Sequence, residues 1–318
     1  MMFLVTLSMG IIIMLSGKTW FSIWLGLEIN LLSFLPIILF SSPRGSEGGL
    51  KYFLVQSAGS LLIVQASFSW FILPYPYLFF MTPLILKLGA APAHFWLPEI
   101  TKILPWRTNM ILLTVQKTGP LYLLAAISAP NKLPLIIISI FSVVMGSLGG
   151  LNEMDLRKLM AFSSISHMGW MFAGMALTQA HWVVYFITYV ITSLTLIIFL
   201  EKVNILTLSQ LTSKDNASLL IMLLFLSLGG FPPLLGFAPK WAILMSTTSL
   251  SITLSIVLVA TSVITLYYYI RAGLMTLTLS NMKLKMNLLK NNYTQTMLVV
   301  VNVGGGGLYV YLWSSLML

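Results

Sequence analysis

Eleven apolar runs follow one another along the chain, at residues 1–16, 20–40, 49–73, 77–96, 108–128, 133–150, 158–178, 181–200, 217–248, 251–273 and 294–316. Most approach the ~20 residues that a helix needs to cross the hydrocarbon core of a bilayer. No polar stretch between them is long enough to form a soluble domain. Backbone polar groups in that core must be satisfied inside the protein, so runs of this length point to helices. The predicted fold is all-α: a polytopic membrane protein of about eleven transmembrane helices. Charged residues make up 8% of the chain, against about 25% in a soluble domain. The net charge of +10 is scattered between apolar segments, which predicts membrane orientation and no nucleic-acid partner.

The run at 217–248 is the ambiguous one, because it contains LSLGGFPPLLGFAPKW and reads either as one broken helix or as two short spans. Loop charge separates the two. With one broken helix, even-numbered connections carry Arg44, Lys51, Lys102, Arg107, Arg157, Lys158, Lys202, Lys214, Arg271, Lys283, Lys285 and Lys290, and odd-numbered ones only Lys18 and Lys132. That bias of twelve to two falls to eight against six if the run is split, so the positive-inside rule favours one broken helix. The expectation is an N-terminus on the positive face, in cytoplasm or an organelle matrix, and a C-terminus opposite. The basic connection at 274–293, with NMKLKMNLLKNN, is read as an interfacial segment on the positive side.

Several chemistries have no seat here. The chain lacks cysteine and has three histidines, His94, His167 and His181, too few soft ligands for an iron–sulfur cluster or a cysteine–zinc site. A bis-histidine haem is disfavoured because His94 and His181 fall at segment ends on opposite predicted faces. The opening MMFLVTLSMGIIIMLSGK lacks a basic n-region and an arginine-rich presequence and is read as the first span.

Removing the fourteen loop bases from seventeen leaves Lys87, Lys117 and Lys240 inside candidate spans, joined by Glu28 in the second. A charge at membrane depth costs roughly 2.5–3.5 kcal/mol and is functional by default. Each of these sits beside backbone punctuation: Gly26 before Glu28, Gly89 and Pro92 after Lys87, Gly119 and Pro120 after Lys117, and Gly229, Gly230, Pro232, Pro233 and Pro239 before Lys240. Proline frees a carbonyl, and broken backbone persists at membrane depth only where protein or a water-filled cavity satisfies it. Charged side chains need the same surroundings. A Glu–Lys pair that forms and separates changes its proton affinity, which suits proton translocation. His167, in SSISHMGWM, adds a group that titrates near neutral pH. Gly304 to Gly307 is read as close helix packing, with no phosphate-cradling context.

Broken helices at corresponding places in two halves mark transport sites. The fourth run, with LKLGAAPAHFW, and the ninth, with LGGFPPLLGFAPK, are both interrupted, both carry a lysine, and lie five spans apart. An odd repeat length inverts the second copy. The expectation is one integral-membrane domain over 1–318, comprising a first five-helix repeat at 1–130, an inverted second at 131–273, and the basic connection with the last helix at 274–318. Glu28 then corresponds to His167.

Six ordered stretches, GLEINLLSFLP, KYFLVQSAGS, LKLGAAPAHFWLPE, VQKTGP, GGLNEMDLRKLMAFSSISHMGWM and LSLGGFPPLLGFAPKW, resemble the antiporter-like membrane subunits of respiratory complex I, NADH:ubiquinone oxidoreductase, in an animal-type short form. The wider family includes the Mrp-type sodium/proton antiporters. The resemblance covers roughly residues 19–273. It implies a mitochondrial inner-membrane subunit with its N-terminus in the matrix and C-terminus in the intermembrane space, encoded by the organelle, and lacking three N-terminal helices of bacterial relatives. By motif, Glu28 matches the family glutamate that works with the broken-helix lysine, here Lys87. Lys117 matches the central lysine of a hydrated axis that includes His167, and Lys240 matches the residue facing a neighbouring antiporter-like subunit. Further implied partners are other membrane-arm subunits, accessory subunits and lipids such as cardiolipin. No cofactor is expected in this chain, since flavin, iron–sulfur clusters and ubiquinone are expected in other subunits. The rival readings are a stand-alone cation/proton antiporter and a non-conducting scaffold, the latter disfavoured by the cost of buried lysines.

Overall fold

Proline and glycine decide where the long apolar runs stop being helical. In the computed structural model, which describes residues 2–69, 76–128, 132–213, 218–277 and, near the end, 302, 304, 305 and 307, the described secondary structure is helical apart from one isolated bridge. The helices are α1 (Met2–Ser16), α2 (Trp20–Leu39), α3 (Gly45–Ser69), α4 (Pro76–Leu88), α5 (Trp96–Ile103), α6 (Trp106–Leu113), α7 (Val115–Ile127), α8 (Leu133–Gly150), α9 (Leu156–Leu177), α10 (Gln179–Val203), α11 (Ser218–Gly229), α12 (Phe237–Thr247) and α13 (Ile252–Leu277). A 3-10 turn covers Leu208–Ser213. Four helical stretches, Trp20–Leu39, Trp106–Ile127, Gln179–Val203 and Ile252–Met275, are long and apolar enough to cross a membrane; Met2–Ser16, Tyr77–Leu88, Leu133–Gly149 and Leu220–Gly229 are shorter apolar helices. Lys214, Asp215, Lys283, Lys285, Lys290, most of the 274–293 connection and most of the last predicted span lie outside the described residues.

The chain divides into two compact units, Met1–Ser142 and Val143–Leu318. In the first, α2 packs on α1 and α3, α3 on α4 and α5, and α7 on α1, α4 and α6. Small residues set the closest approaches. A Cβ on Gly26 would stand 2.9 Å from the Gly10 carbonyl oxygen, and one on Gly119 would collide with the Met14 thioether, so α1 meets both α2 and α7 through glycine. Lys51 on α3 bridges Glu47 at 3.1 Å and Glu99 on α5 at 3.0 Å, an exposed arrangement worth little in stability. The α5–α6 corner is held by Asn109, whose amide donates to the carbonyls of Thr101 (2.9 Å) and Leu104 (3.2 Å).

In the second unit α9 is the central element. Its face from Ser163 to Ala176 is buried without interruption, the pattern of a helix covered on all sides. It packs on α10 and α12, while α13 packs on α11, α12 and the 3-10 turn. The connections before α9 and after α10 zip together: Asp155 and Thr207 form an antiparallel bridge, Leu156 N–H donates to Leu206, and Leu208 N–H donates to Met154. Arg271 on α13 donates to the Glu153 carbonyl at 3.1 Å, and the Glu153 carboxylate accepts from Lys158 at 3.4 Å. The acids at 153 and 155 therefore organise a corner of this unit.

Candidate functional site

The two interruptions expected in the fourth and ninth runs have the same backbone construction. After α4, Gly89 takes φ +68; after α11, Gly230 takes φ +78. Each closes a Schellman motif: Gly89 N–H bonds to Leu86 and Ala90 N–H to Ile85, while Gly230 N–H bonds to Ser227 and Phe231 N–H to Leu226. Only glycine takes that left-handed conformation without steric cost. Three residues past each glycine a cis proline follows, Pro92 and Pro233, and nine residues past each comes a second proline, Pro98 and Pro239. These last two sit in the first turn of α5 and α12, where a missing N–H is harmless. In this register the lysines are not equivalent. Lys87 lies two residues before its glycine, whereas Lys240 lies ten after and aligns with Glu99.

A third discontinuity falls at Thr114, ahead of Gly119 and Pro120, where sequence reasoning set the punctuation; both of those residues lie inside α7. The run containing VQKTGP is two helices, α6 and α7, meeting at Thr114 with φ −116 and ψ −71, three residues ahead of Lys117. The Thr114 hydroxyl donates to Met110 at 2.6 Å. Pro120 inside α7 lacks the N–H that would bond to the Gln116 carbonyl. Pro83 leaves the Phe79 carbonyl in the same position in α4, and there the Thr82 hydroxyl donates to it at 3.1 Å.

In the first unit Lys87 and Lys117 are brought together. Both are buried, at 6% and 3% exposure, and both line one small cavity with Asn30, Tyr52, Gln56 and Gln116. The space open to water centres is ≈ 20 Å³, enough for about one water. Polar side chains connect its walls: Tyr52 donates to Gln116 (3.3 Å), Gln116 donates to Asn30 (3.2 Å), and Gln56 donates to the Lys87 carbonyl (3.1 Å). The Lys87 stem crosses α3 at Gly59, where a Cβ would stand 2.9 Å from Lys87 Cγ. Glu28, half-buried on α2, interacts with Lys87 electrostatically; the described salt bridges are at Lys51 and Lys158.

In the second unit His167 and Lys240 belong to one aromatic and hydroxyl cluster. His167 Nδ1 lies 2.8 Å from the Tyr185 hydroxyl, and its ring is 5.1 Å from that of Tyr189. Tyr185 stacks on Trp170 at 6.3 Å and 8°, and the Lys240 ammonium stands 5.9 Å from the Trp170 ring. Lys240 donates to the Gly229 carbonyl at 2.8 Å, folding back over the helix break. Ser163, Ser164 and Ser166 on α9 meet Tyr269, Tyr189 and Tyr268 respectively. The neighbouring break is braced from the last predicted span, where the Asn302 carbonyl accepts from Leu235 N–H and the Asn302 amide donates to Thr195 at 3.0 Å.

Sequence reasoning found the charged members and missed Asn30, Tyr52, Gln56, Gln116, Tyr185, Tyr189, Tyr268 and Tyr269. The signal was available for two of them, since the tandem tyrosines at 268 and 269 interrupt an apolar run. Among the described residues no group of three His, Asp or Glu side chains is arranged to hold a metal ion.

A helical membrane chain with two glycine–proline helix breaks and a buried lysine beside each has the architecture of an antiporter-like transport subunit. The family model for NADH:quinone oxidoreductase/Mrp antiporter transmembrane proteins matches residues 17–74 and 65–265, and the chain belongs to this family. It is 37% identical over 314 residues to NADH-ubiquinone oxidoreductase chain 2 of Anopheles gambiae, covering 93% of this chain and 90% of that one. It is 38% identical over 305 residues to the chain of the same name from Ovis aries, covering 89% and 88%. Among solved structures, a chain of respiratory complex I from Thermus thermophilus shares the fold with a TM-score of 0.80 at 22% identity, over 98% of this chain and 76% of that chain. A chain of the Mrp complex from Dietzia sp. DQ12-45-1b aligns with a TM-score of 0.77 at 16% identity, over 87% and 59%.

Proposed function

We propose that this chain is a proton-translocating, antiporter-like membrane subunit of respiratory complex I, acting within a complex that transfers electrons from NADH to ubiquinone. The observation that carries this reading is the pairing of Lys87 and Lys117 across one polar cavity beside a helix break. Two buried lysines that line one water-sized space, walled by amide and phenol side chains, can pass a proton when hydration and pairing change. Glu28 on α2 supplies a carboxylate that interacts electrostatically with Lys87. In the second unit Lys240, His167 and Tyr185 form the corresponding polar line, and Lys240 faces the path towards a neighbouring antiporter-like subunit.

In this reading eleven spans cross the mitochondrial inner membrane, with α4–α5 and α11–α12 as the broken members of two inverted repeats, 1–130 and 131–273. The N-terminus is in the matrix and the C-terminus in the intermembrane space. Flavin, iron–sulfur clusters and ubiquinone belong to other subunits. The partners are the membrane-arm and accessory subunits and inner-membrane lipids including cardiolipin. The test is proton output per NADH in liposomes holding the complex with Lys87→Met or Lys240→Met. A lowered ratio in assembled complex supports the reading, and an unchanged ratio for both contradicts it. Sodium-dependent proton flux through the chain alone would favour a stand-alone antiporter instead.

A further inference from the structure

Trp24, on α2, carries a polar atom that the fold leaves unused. Its indole Nε1 is buried and has no hydrogen-bond partner among the described residues, although buried donors in native proteins nearly always have one. The face of α2 on which it stands is set by two contacts with α4. Trp20 stacks on Phe80 at 4.0 Å, and about two turns further along both helices Glu28 interacts electrostatically with Lys87. Residues four apart share a helix face, so Trp24 lies on this face between the two levels, one turn before Glu28. Gly26 lies on the other side of α2, against α1, where a Cβ would stand 2.9 Å from the Gly10 carbonyl oxygen.

The acceptor that shares this face is the Glu28 carboxylate. The Phe79 carbonyl, which Pro83 frees on α4, already accepts from the Thr82 hydroxyl at 3.1 Å. Glu28 is half-buried and joins none of the salt bridges among the described residues, so its oxygens keep acceptor capacity. Side chains on a helix lean towards its N-terminus, which aims Glu28 at Trp24. We infer that Trp24 is a positioning residue for Glu28, its indole N–H being a second dock for the carboxylate, one turn from the dock beside Lys87. One turn is ~5.4 Å, a shift that a glutamate makes by changing rotamers, and an N–H donor to an ionised oxygen gives a charge-assisted hydrogen bond at the far position. The inference rests on the reading of Glu28 and Lys87 as a pair on the proton path, and it gives the separated state of that pair a defined geometry.

The test uses the intact complex in liposomes, with proton output per NADH as the readout. Trp24→Phe keeps an aromatic ring and removes the N–H, whereas Trp24→His shrinks the ring comparably but restores a ring donor. Losing a hydrogen bond to a charged group shifts a two-position equilibrium by ~10-fold or more. Trp24→Phe should therefore lower the proton ratio clearly, and Trp24→His should recover most of it. An equal fall in both variants would show a packing role, and an unchanged ratio in Trp24→Phe would show no role; either overturns the proposal. Glu28→Ala tests the reading beneath it: an unchanged ratio there removes Glu28 from the proton path, whereas a fall there with Trp24→Phe at wild-type output overturns the second dock alone. Density maps of the wild-type complex, at rest and in turnover, decide the matter without a substitution. A Glu28 oxygen should lie ~2.7–3.2 Å from Trp24 Nε1 in one of the two states, and Nε1 bonded to a different group, or to none, in both would overturn the proposal.

Discussion

The adjacent glycines at 229 and 230 test the helix break with a one-methyl perturbation. Gly230 has φ +78, and a Cβ there would stand 2.9 Å from Lys240 Cδ and 3.1 Å from its Nζ. An alanine pays ~1–2 kcal/mol for left-handed backbone. It also pushes the lysine off the Gly229 carbonyl that it reaches at 2.8 Å, a hydrogen bond from a charged group worth ~1.5–3 kcal/mol. Together these amount to ~2.5–5 kcal/mol, or a ~60-fold or greater loss in the population holding the break as built. Gly229 is the last residue of α11, and a Cβ there meets the Tyr269 ring at 3.3 Å and Leu266 at an ordinary 3.8 Å. Alanine gains ~0.5–1 kcal/mol of helix preference there, offset by that tight contact, for a net effect within about 1 kcal/mol of zero. The assay is the amount of assembled complex on native gels, its rate of thermal inactivation, and its proton output per NADH. Gly230→Ala should fail on at least one of these while Gly229→Ala resembles wild type. Equal behaviour of the two variants would refute the Schellman-capped break and the position of Lys240 over it.

Three further outcomes follow from the packing. Gly119→Ala should loosen α1 from α7 by collision with Met14, and Met14→Ala should relieve it; a thermal-stability double-mutant cycle should show coupling of ~1–3 kcal/mol. Asn109→Ala, which strips two carbonyls of their donor at the α5–α6 corner, should cost ~2–4 kcal/mol by the same thermal assay, whereas an effect below 0.5 kcal/mol would argue against that corner. Tyr185→Phe removes one hydroxyl and the 2.8 Å contact with His167; assembly should persist at a cost of ~1–2 kcal/mol while proton output per NADH falls, and full output would take Tyr185 off the path.

The charges and the two main breaks were legible in the sequence because each rests on a strong local cost. A lysine inside an apolar run, or a glycine followed by prolines, has few structural excuses. Lys87, Lys117, Lys240, Gly89 and Gly230 were found on those grounds. The residues that connect them were not. Asn30, Gln56 and Gln116 are polar residues within helices, and their partners lie on other helices, at Gln116–Asn30 and Gln56–Lys87, separations that a local reading does not cross. The break at Thr114 escaped for the opposite reason: it involves neither glycine nor proline at the break itself, only a threonine hydroxyl that competes for a carbonyl of the preceding turn. The pairing of the two broken helices was read from their interruptions and their shared lysines, whereas the matched backbone aligns Lys240 with Glu99 and leaves Lys87 on the other side of the break. The likeness of the two breaks is therefore written in glycine and proline, and the lysines sit differently around each.

The central claim is that Lys117 stands on the path of translocated protons. It is decided by proton output per NADH in liposomes containing fully assembled complex with Lys117→Met. The account predicts intact electron transfer capacity with a clearly reduced ratio of protons to NADH. A ratio equal to wild type in assembled, active complex would contradict it.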